Sequence, residues 1–251
     1  MDLNNLSGLL SSFGNASVFS WDTMMKSNDI SKPVQAHLSR VYMALLAAMT
    51  AAAAGVYVNI VYHFQANFLC LMGSVGILMY MHYDRNKEDT LRRTAMLCAF
   101  GFLKGVGIGS LVESALYMDP SIVIVSALGT MVVFTCFSLS ALLAQRRSYL
   151  YLGGMISSAM SLIFFASIGN MFFRSMYLQD LTLYAGLMAF CGLVIVDSQM
   201  IVEKASQGSR DFAGHAADLF IDLVAVFVRV LIILMKQNQN RERERRSKRR
   251  Q

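Results

Sequence analysis

The chain has 251 residues, of which 55% are hydrophobic and 15% charged, with a mean hydropathy of +0.48 and a formal net charge of +6. Soluble domains usually carry about a quarter charged residues, so the composition excludes a chain built mainly of soluble domains and points to an integral membrane protein. Much of the positive charge sits in the tail after Lys236, from Arg241 to Arg250. Beside a membrane segment such a tail contacts anionic headgroups and helps fix topology, and it makes no case for nucleic acid.

The first 40 residues are mixed and polar, with no basic start followed by a short apolar core, so no cleavable signal peptide is expected there. They read as a cytosolic N-terminal region. Crossing a bilayer takes roughly 20 apolar residues as a helix. In chain order the candidates are Val41–Val61, then about Asn67–Tyr83, then about Thr94–Tyr117 with Lys104 and Glu113 inside it. Ser121–Ala144, Ser148–Phe173 and about Tyr177–Ile201 follow, the last holding Asp180 near its start and Asp197 near its end. A seventh segment, about Ala216–Met235, carries Asp218, Asp222 and Arg229. The runs are apolar all round and do not alternate, so helices are expected and a barrel is not. Cys70, Cys98, Cys136 and Cys191 lie inside the runs without metal-ligand spacing and read as packing residues.

Loop charges set the orientation. Lys26, Lys32 and Arg40 precede the first segment. Arg85, Lys87, Arg92 and Arg93 follow the second, Arg146 and Arg147 the fourth, Lys204 and Arg210 the sixth; the alternate links hold only Arg174. This positive-inside pattern places the N-terminus in the cytosol. A full seventh crossing would then leave the most basic stretch outside. Charge counting therefore favours a seventh segment that is re-entrant or enclosed in the bundle, with residues 237–251 as a cytosolic tail. The expected fold is all-α: residues 41–236 form six transmembrane helices around a charged seventh.

On a helix at 100° per residue, His215, Asp218, Asp222 and Arg229 fall on one stripe about 60° wide. Asp211 extends the stripe if the helix begins that early. A charged stripe on an apolar helix should face the bundle interior or water. Asp197 ends the run Gly192-Leu-Val-Ile-Val196, an unfavourable place for an acid at a helix C-terminus. A short link joins segments six and seven, so an antiparallel hairpin brings Asp197 toward Asp218 or Asp222. Two partly desolvated carboxyls in contact do not both ionise easily; they share a proton and titrate as a unit. Once ionised, their oxygens suit Ca²⁺ as a transient ligand set. Lys104, at mid-span, either neutralises an aspartate or snorkels. It lies in Gly101-Phe-Leu-Lys-Gly105-Val-Gly-Ile-Gly109, whose glycine spacing lets another helix approach closely.

Five stretches carry a resemblance to a known family: Phe134-Thr-Cys-Phe-Ser-Leu-Ser-Ala-Leu-Leu, Arg147-Ser-Tyr-Leu-Tyr-Leu-Gly-Gly-Met, Ser167-Ile-Gly-Asn-Met-Phe-Phe, Asp197-Ser-Gln-Met-Ile-Val-Glu-Lys-Ala and His215-Ala-Ala-Asp-Leu-Phe-Ile-Asp-Leu-Val-Ala-Val-Phe. Over about residues 35–236 the chain resembles the Bax inhibitor-1 family, the transmembrane Bax inhibitor motif proteins. The resemblance implies a multi-pass protein of the endoplasmic reticulum membrane. It implies protection against apoptosis, endoplasmic-reticulum stress and the unfolded protein response, and a pH-sensitive calcium leak with Ca²⁺ as permeant ion and no tightly bound cofactor. The family's paired acids fall on Asp197 and Asp222, with Asp218 matching a further aspartate. Arg93 matches a family arginine that neutralises the pair. Ser110 stands where the family usually has proline, and Lys104 where it usually has a neutral residue, so a fixed cation near a pore would weaken Ca²⁺ passage. Lys248-Arg-Arg-Gln251 looks like a dibasic retrieval signal.

An alternative is a non-conducting regulator that binds Bcl-2-type proteins and stress sensors. An intramembrane aspartyl protease is a distant third. Two aspartates on adjacent helices suit acid–base work, but Asp197 follows Val-Ile-Val and Asp222 follows Leu-Phe-Ile rather than the glycine signature of that class. No enzyme activity is expected.

Overall fold

The structure, a computed structural model, describes residues 31–63, 68–84, 89–143 and 152–248. Lys26, the link residues Arg85, Lys87, Arg146 and Arg147, the start of the Arg147 motif and the last three residues of the retrieval-like signal lie outside the described residues. Seven helices and no strand occur among those described: α1 Lys32–Tyr62, α2 Phe68–Tyr83, α3 Thr90–Met118, α4 Pro120–Leu143, α5 Leu152–Phe173, α6 Met176–Ser206 and α7 Phe212–Lys248.

Local chemistry sets several boundaries. Pro33 and Pro120 occupy the first turns of α1 and α4, where a missing N–H costs nothing. Asp89 caps α3 through the amide of Arg92, and Ser175 caps α6 through the amide of Leu178. The Asp119 carboxylate accepts the Ser121 amide at 2.9 Å, and that bond holds its carboxyl below the usual carboxylate range. α6 ends at Ser206, and the chain reverses at Gly208, whose φ of 88° is the left-handed region that suits glycine.

Five helices, α1, α3, α4, α5 and α6, are long and apolar enough to cross a bilayer. The expectation of six such spans is met in part. α2 is apolar but has 16 residues, about 24 Å of helix against a hydrocarbon core of roughly 30 Å. Exposed Leu, Met, Phe and Tyr side chains cover the outside, and α5 has no buried residue, as a helix facing lipid should.

α7 packs against α1, α3, α4 and α6 and touches α2. The core is built around it: Leu219 and Phe220 are fully buried with Val41 and Ala48 of α1, Leu97 and Phe100 of α3 and Val194 of α6. Phe100 and Phe220 meet edge to face with centroids 5.8 Å apart. The glycine run of α3 seats α1: a Cβ at Gly105 would fall on the Ala52 carbonyl, and one at Gly101 on that of Ala48. The close approach expected of that run is present, with α1 as its partner.

The seventh helix does not turn back. It runs without a break from Phe212 to Lys248, 37 residues or roughly 55 Å, antiparallel to α6. Asp222 meets Asp197, Arg229 lies on the ring of Phe190, and Lys236 meets Asp180. The starts of α1, α3 and α7 therefore share one end of the bundle, through His37–His215 and Arg93–Asp211. The far end gathers His63, Glu113, Met118 and Lys236. Of the two expected paths, re-entrant or enclosed in the bundle, the continuous helix packed among α1, α3, α4 and α6 agrees with the enclosed one, and its unbroken backbone ladder satisfies every peptide group along the way.

A buried carboxyl pair as candidate functional site

Asp211 begins the site. Its Oδ1 accepts the amide of Gly214 at 2.9 Å, which fixes the first turn of α7 and the rotation of every side chain after it. His215, Asp218, Asp222 and Arg229 then follow at helical spacing. The chain's tight reversal at Gly208 sets α6 antiparallel alongside, so the last turns of α6 face the first turns of α7.

Asp197 of α6 and Asp222 of α7 hydrogen bond through their side chains. Asp222 is 3% exposed and Asp197 half-buried. Two carboxyl groups bond to each other only with a proton between them. The Oδ2 of Asp222 is buried without a partner. Asp218, half-buried one turn earlier, adds a third carboxyl facing Asp197. The cations that act on this cluster are Lys204, toward Asp197 and Asp218, and His82 of α2, toward Asp218.

The residues after Asp197 clamp α6 from the other side. Ser198 Oγ lies 3.3 Å from Ser138 Oγ of α4, which also bonds the Tyr42 hydroxyl of α1. Gln199 donates from Nε2 to the Ala141 carbonyl at 3.2 Å. Asp197 thus sits on a helix held to α4, while its partner sits on α7.

The remaining stripe residues have other partners. His215 is 5% exposed, and its Nδ1 lies 3.1 Å from Nε2 of His37 on α1, with the rings nearly perpendicular. The Arg229 guanidinium stacks 4.2 Å from the Phe190 ring centroid, beside Gly186, and donates to the Ala225 carbonyl. Gly186 is the notch that admits it: a Cβ there would come within 2.6 Å of the Arg229 Nε.

Neither expected charge partner sits on the acid pair. Arg93 is fully buried, and its Nη2 pairs with Asp211 Oδ1 at 2.5 Å and reaches the Met81 carbonyl at 3.4 Å. Its Nε and Nη1 are buried without partners. Arg93 reaches α7 at the cap and not at the pair because Asp211 precedes Asp222 by three helical turns. Lys104 lies over the ring of Phe100 at 5.6 Å, and Phe100 packs on Phe220. The nearest ring contact of Lys104 on the way to α7 is therefore Phe100, which meets Phe220 of α7. Glu113 pairs with His63 at 3.3 Å at the far end.

Sequence reasoning placed Asp211 on the stripe but not as the partner of Arg93, and it missed His37. A capping signal, Asp211 three residues before Gly214, was there to be read. His37 offered no local signal. Among the described residues no group of three or more His, Cys, Asp or Glu side chains converges to hold a metal ion. Asp197 and Asp222 offer carboxylate oxygens alone, which suits a passing hard cation better than a resident one.

A bundle of apolar helices packed on one charged helix, with paired acids at the helix contact, defines a polytopic membrane protein with an ionisable interior. Sequence comparison gives the family. The profile described as "Inhibitor of apoptosis-promoting Bax1" matches residues 34–240. Bax inhibitor 1 of Mus musculus is 43% identical over 213 residues, covering 84% of this chain and 90% of the relative. The Homo sapiens protein of the same name is 42% identical over the same span, and that of Arabidopsis thaliana 38% over 218 residues, 85% of this chain and 86% of the relative. The chain belongs to the Bax inhibitor-1 family.

Proposed function

We propose that this protein suppresses apoptosis and stress in the endoplasmic reticulum membrane, as a non-enzymatic, pH-sensitive calcium leak gated by Asp197 and Asp222. The supporting observation is the hydrogen bond between these two carboxyls at the contact of α6 and α7. With the proton shared, the bond holds the helices together. Without it, two like charges face each other in a low-dielectric interior, and repulsion replaces the bond. α6 is tied to α4 through Ser198 and Gln199, so α7 is the element that yields. The freed oxygens of Asp197 and Asp222 then serve Ca²⁺ in transit, with no tightly bound cofactor.

In this reading α1 to α6 are the six spans gathered about α7. The charged links put the N-terminus in the cytosol. If the continuous α7 crosses the bilayer, a cytosolic N-terminus goes with a basic tail on the opposite face; if it is enclosed without a full crossing, the tail is cytosolic as well.

The test is Ca²⁺ entry into dye-loaded liposomes holding purified protein, scanned from about pH 5 to 8. Wild type should show flux that varies with pH, and Asp197→Asn and Asp222→Asn should flatten it. No flux in wild type but flux in Lys104→Thr would mean that the lysine blocks an otherwise intact path. Folded protein with no flux in any variant would leave a non-conducting regulator that acts through Bcl-2-type partners.

A further inference from the structure

Lys104 stands at the midpoint of α3, equidistant from Thr90 and Met118, with roughly 20 Å of helix on either side. Its ammonium is half-buried against Phe100 and pairs with no carboxylate among the described residues. It borders a groove of about 260 Å³ between α2 and α3, lined also by Cys70, Leu71 and Ser74 of α2 and by Leu103, Gly107 and Ile108 of α3. Leu71 and Gly107 are exposed, so the groove opens to the side of the bundle, toward lipid. A Cβ on Gly107, or on Gly76 of α2, would meet nothing within 4 Å.

A cation at this depth calls for an anion. Lipid phosphates lie beyond the hydrocarbon core, about 15 Å from its centre, farther than a lysine side chain extends. The complementary charge must therefore be carried into the hydrocarbon on a protein segment. A second copy does not supply it from described residues: Asp197, Asp218 and Asp222 cluster at the α6–α7 contact, Glu113 pairs with His63, Asp180 with Lys236 and Asp211 with Arg93, and the other described acids sit at or near helix ends. Three of the lining residues, Cys70, Ser74 and Gly107, are small, the kind that lets helix backbones approach in a membrane.

We propose that the α2–α3 groove docks a transmembrane helix of another protein that carries one Asp or Glu at mid-bilayer depth, its carboxylate pairing with Lys104 and its backbone lying against Gly107. This surface is separate from the acid pair, and the proposal stands whether or not the protein conducts Ca²⁺.

The test uses the full chain in lipid nanodiscs, donor-labelled at its N-terminus, and acceptor-labelled synthetic Leu/Ala transmembrane peptides. One peptide has a central Asp, one a central Leu, and one an Asp near its end. The central-Asp peptide should transfer energy at roughly tenfold lower concentration than the other two. That preference should vanish in Lys104→Met, persist in Lys104→Arg, and weaken in Gly107→Leu, which fills the groove and leaves the charge. Equal binding of all three peptides to wild type, or a preference that survives Lys104→Met, overturns the proposal. So does equal peptide binding together with a spin-labelled fatty acid that wild type immobilises and Lys104→Met releases, which would give the groove to a lipid anion.

Discussion

A single oxygen, Oδ1 of Asp211, receives both Nη2 of Arg93 at 2.5 Å and the amide of Gly214 at 2.9 Å. The ion pair that fastens α3 to α7 is therefore also the cap that starts α7. Arg93 is wholly buried, so the carboxylate is what compensates its charge. Removing one partner of a buried pair leaves an uncompensated ion and typically costs about 3–5 kcal/mol. Asp211→Ala should lower the melting temperature of the protein in nanodiscs sharply. Arg93→Met in the same chain should restore much of the loss, leaving mainly the missing cap, about 1 kcal/mol. A double variant no more stable than Asp211→Ala would show that the pair is not the source.

Gly105 and Gly107 make an internal control. A side chain at Gly105 runs into the Ala52 backbone, whereas one at Gly107 enters open space. Gly105→Val should force α1 from α3 and destabilise by about 3 kcal/mol, the upper part of the usual overpacking range. Gly107→Ala should leave thermal unfolding unchanged within error. Equal melting temperatures for the two variants would mean that α1 and α3 do not meet at this register.

His37 and His215 bond through one ring nitrogen that donates and one that accepts. Burial and the nearby Arg40 hold the His37 imidazole below the usual histidine range, so the contact's stability is lost as the pH falls below about 6.5 toward the lower folded value, where the His37 ring takes a proton. The charges around the pair are Arg40 on α1 and Asp211 capping α7, with Arg93 of α3 on the far side of Asp211. The contribution is thus present above this range and lost below it. Replacing His37 by Phe should cost about 1 kcal/mol near pH 7.5, and the gap to wild type should shrink or reverse near pH 5.5. Melting curves of the two proteins at both pH values decide it; a gap that does not change with pH excludes the pair as a titrating contact.

The unbroken α7 carries a topological prediction. Residues near Lys32 and residues near Arg245 should be reached by membrane-impermeant reagents from opposite sides of sealed microsomes. Single-cysteine labelling in a chain with its four native cysteines replaced reads this out. Labelling of both positions from one side would mean that α7 makes no full crossing.

Much of this was legible in sequence because it depends on local period. The apolar runs located the helices, the 100° spacing grouped His215, Asp218 and Asp222, the short link between segments six and seven led Asp197 to Asp218 or Asp222, and the family resemblance singled out Asp222. The glycine run announced a close helix approach without naming α1. Contacts across long sequence distances were not legible. Arg93 meets Asp211 and His37 meets His215 only because α3, α1 and α7 start at the same end of the bundle, which no local pattern records. Loop charge left α7 either re-entrant or enclosed in the bundle, and the continuous helix packed against α1, α3, α4 and α6 agrees with the enclosed path. α2 was counted with the other spans on apolarity, although its 16 helical residues fall short of the bilayer core.

The central claim is that a proton shared by Asp197 and Asp222 holds α7 against α6. Spin labels on the outer faces of the two helices, near this contact, report the separation directly in nanodiscs between about pH 5 and 10. The distance in wild type should widen as pH rises and the shared proton leaves. It should stay short in Asp197→Asn, whose amide can donate to the Asp222 carboxylate at any pH in the range. A wild-type distance that does not move, or an Asp197→Asn distance that moves just as far, would contradict the account.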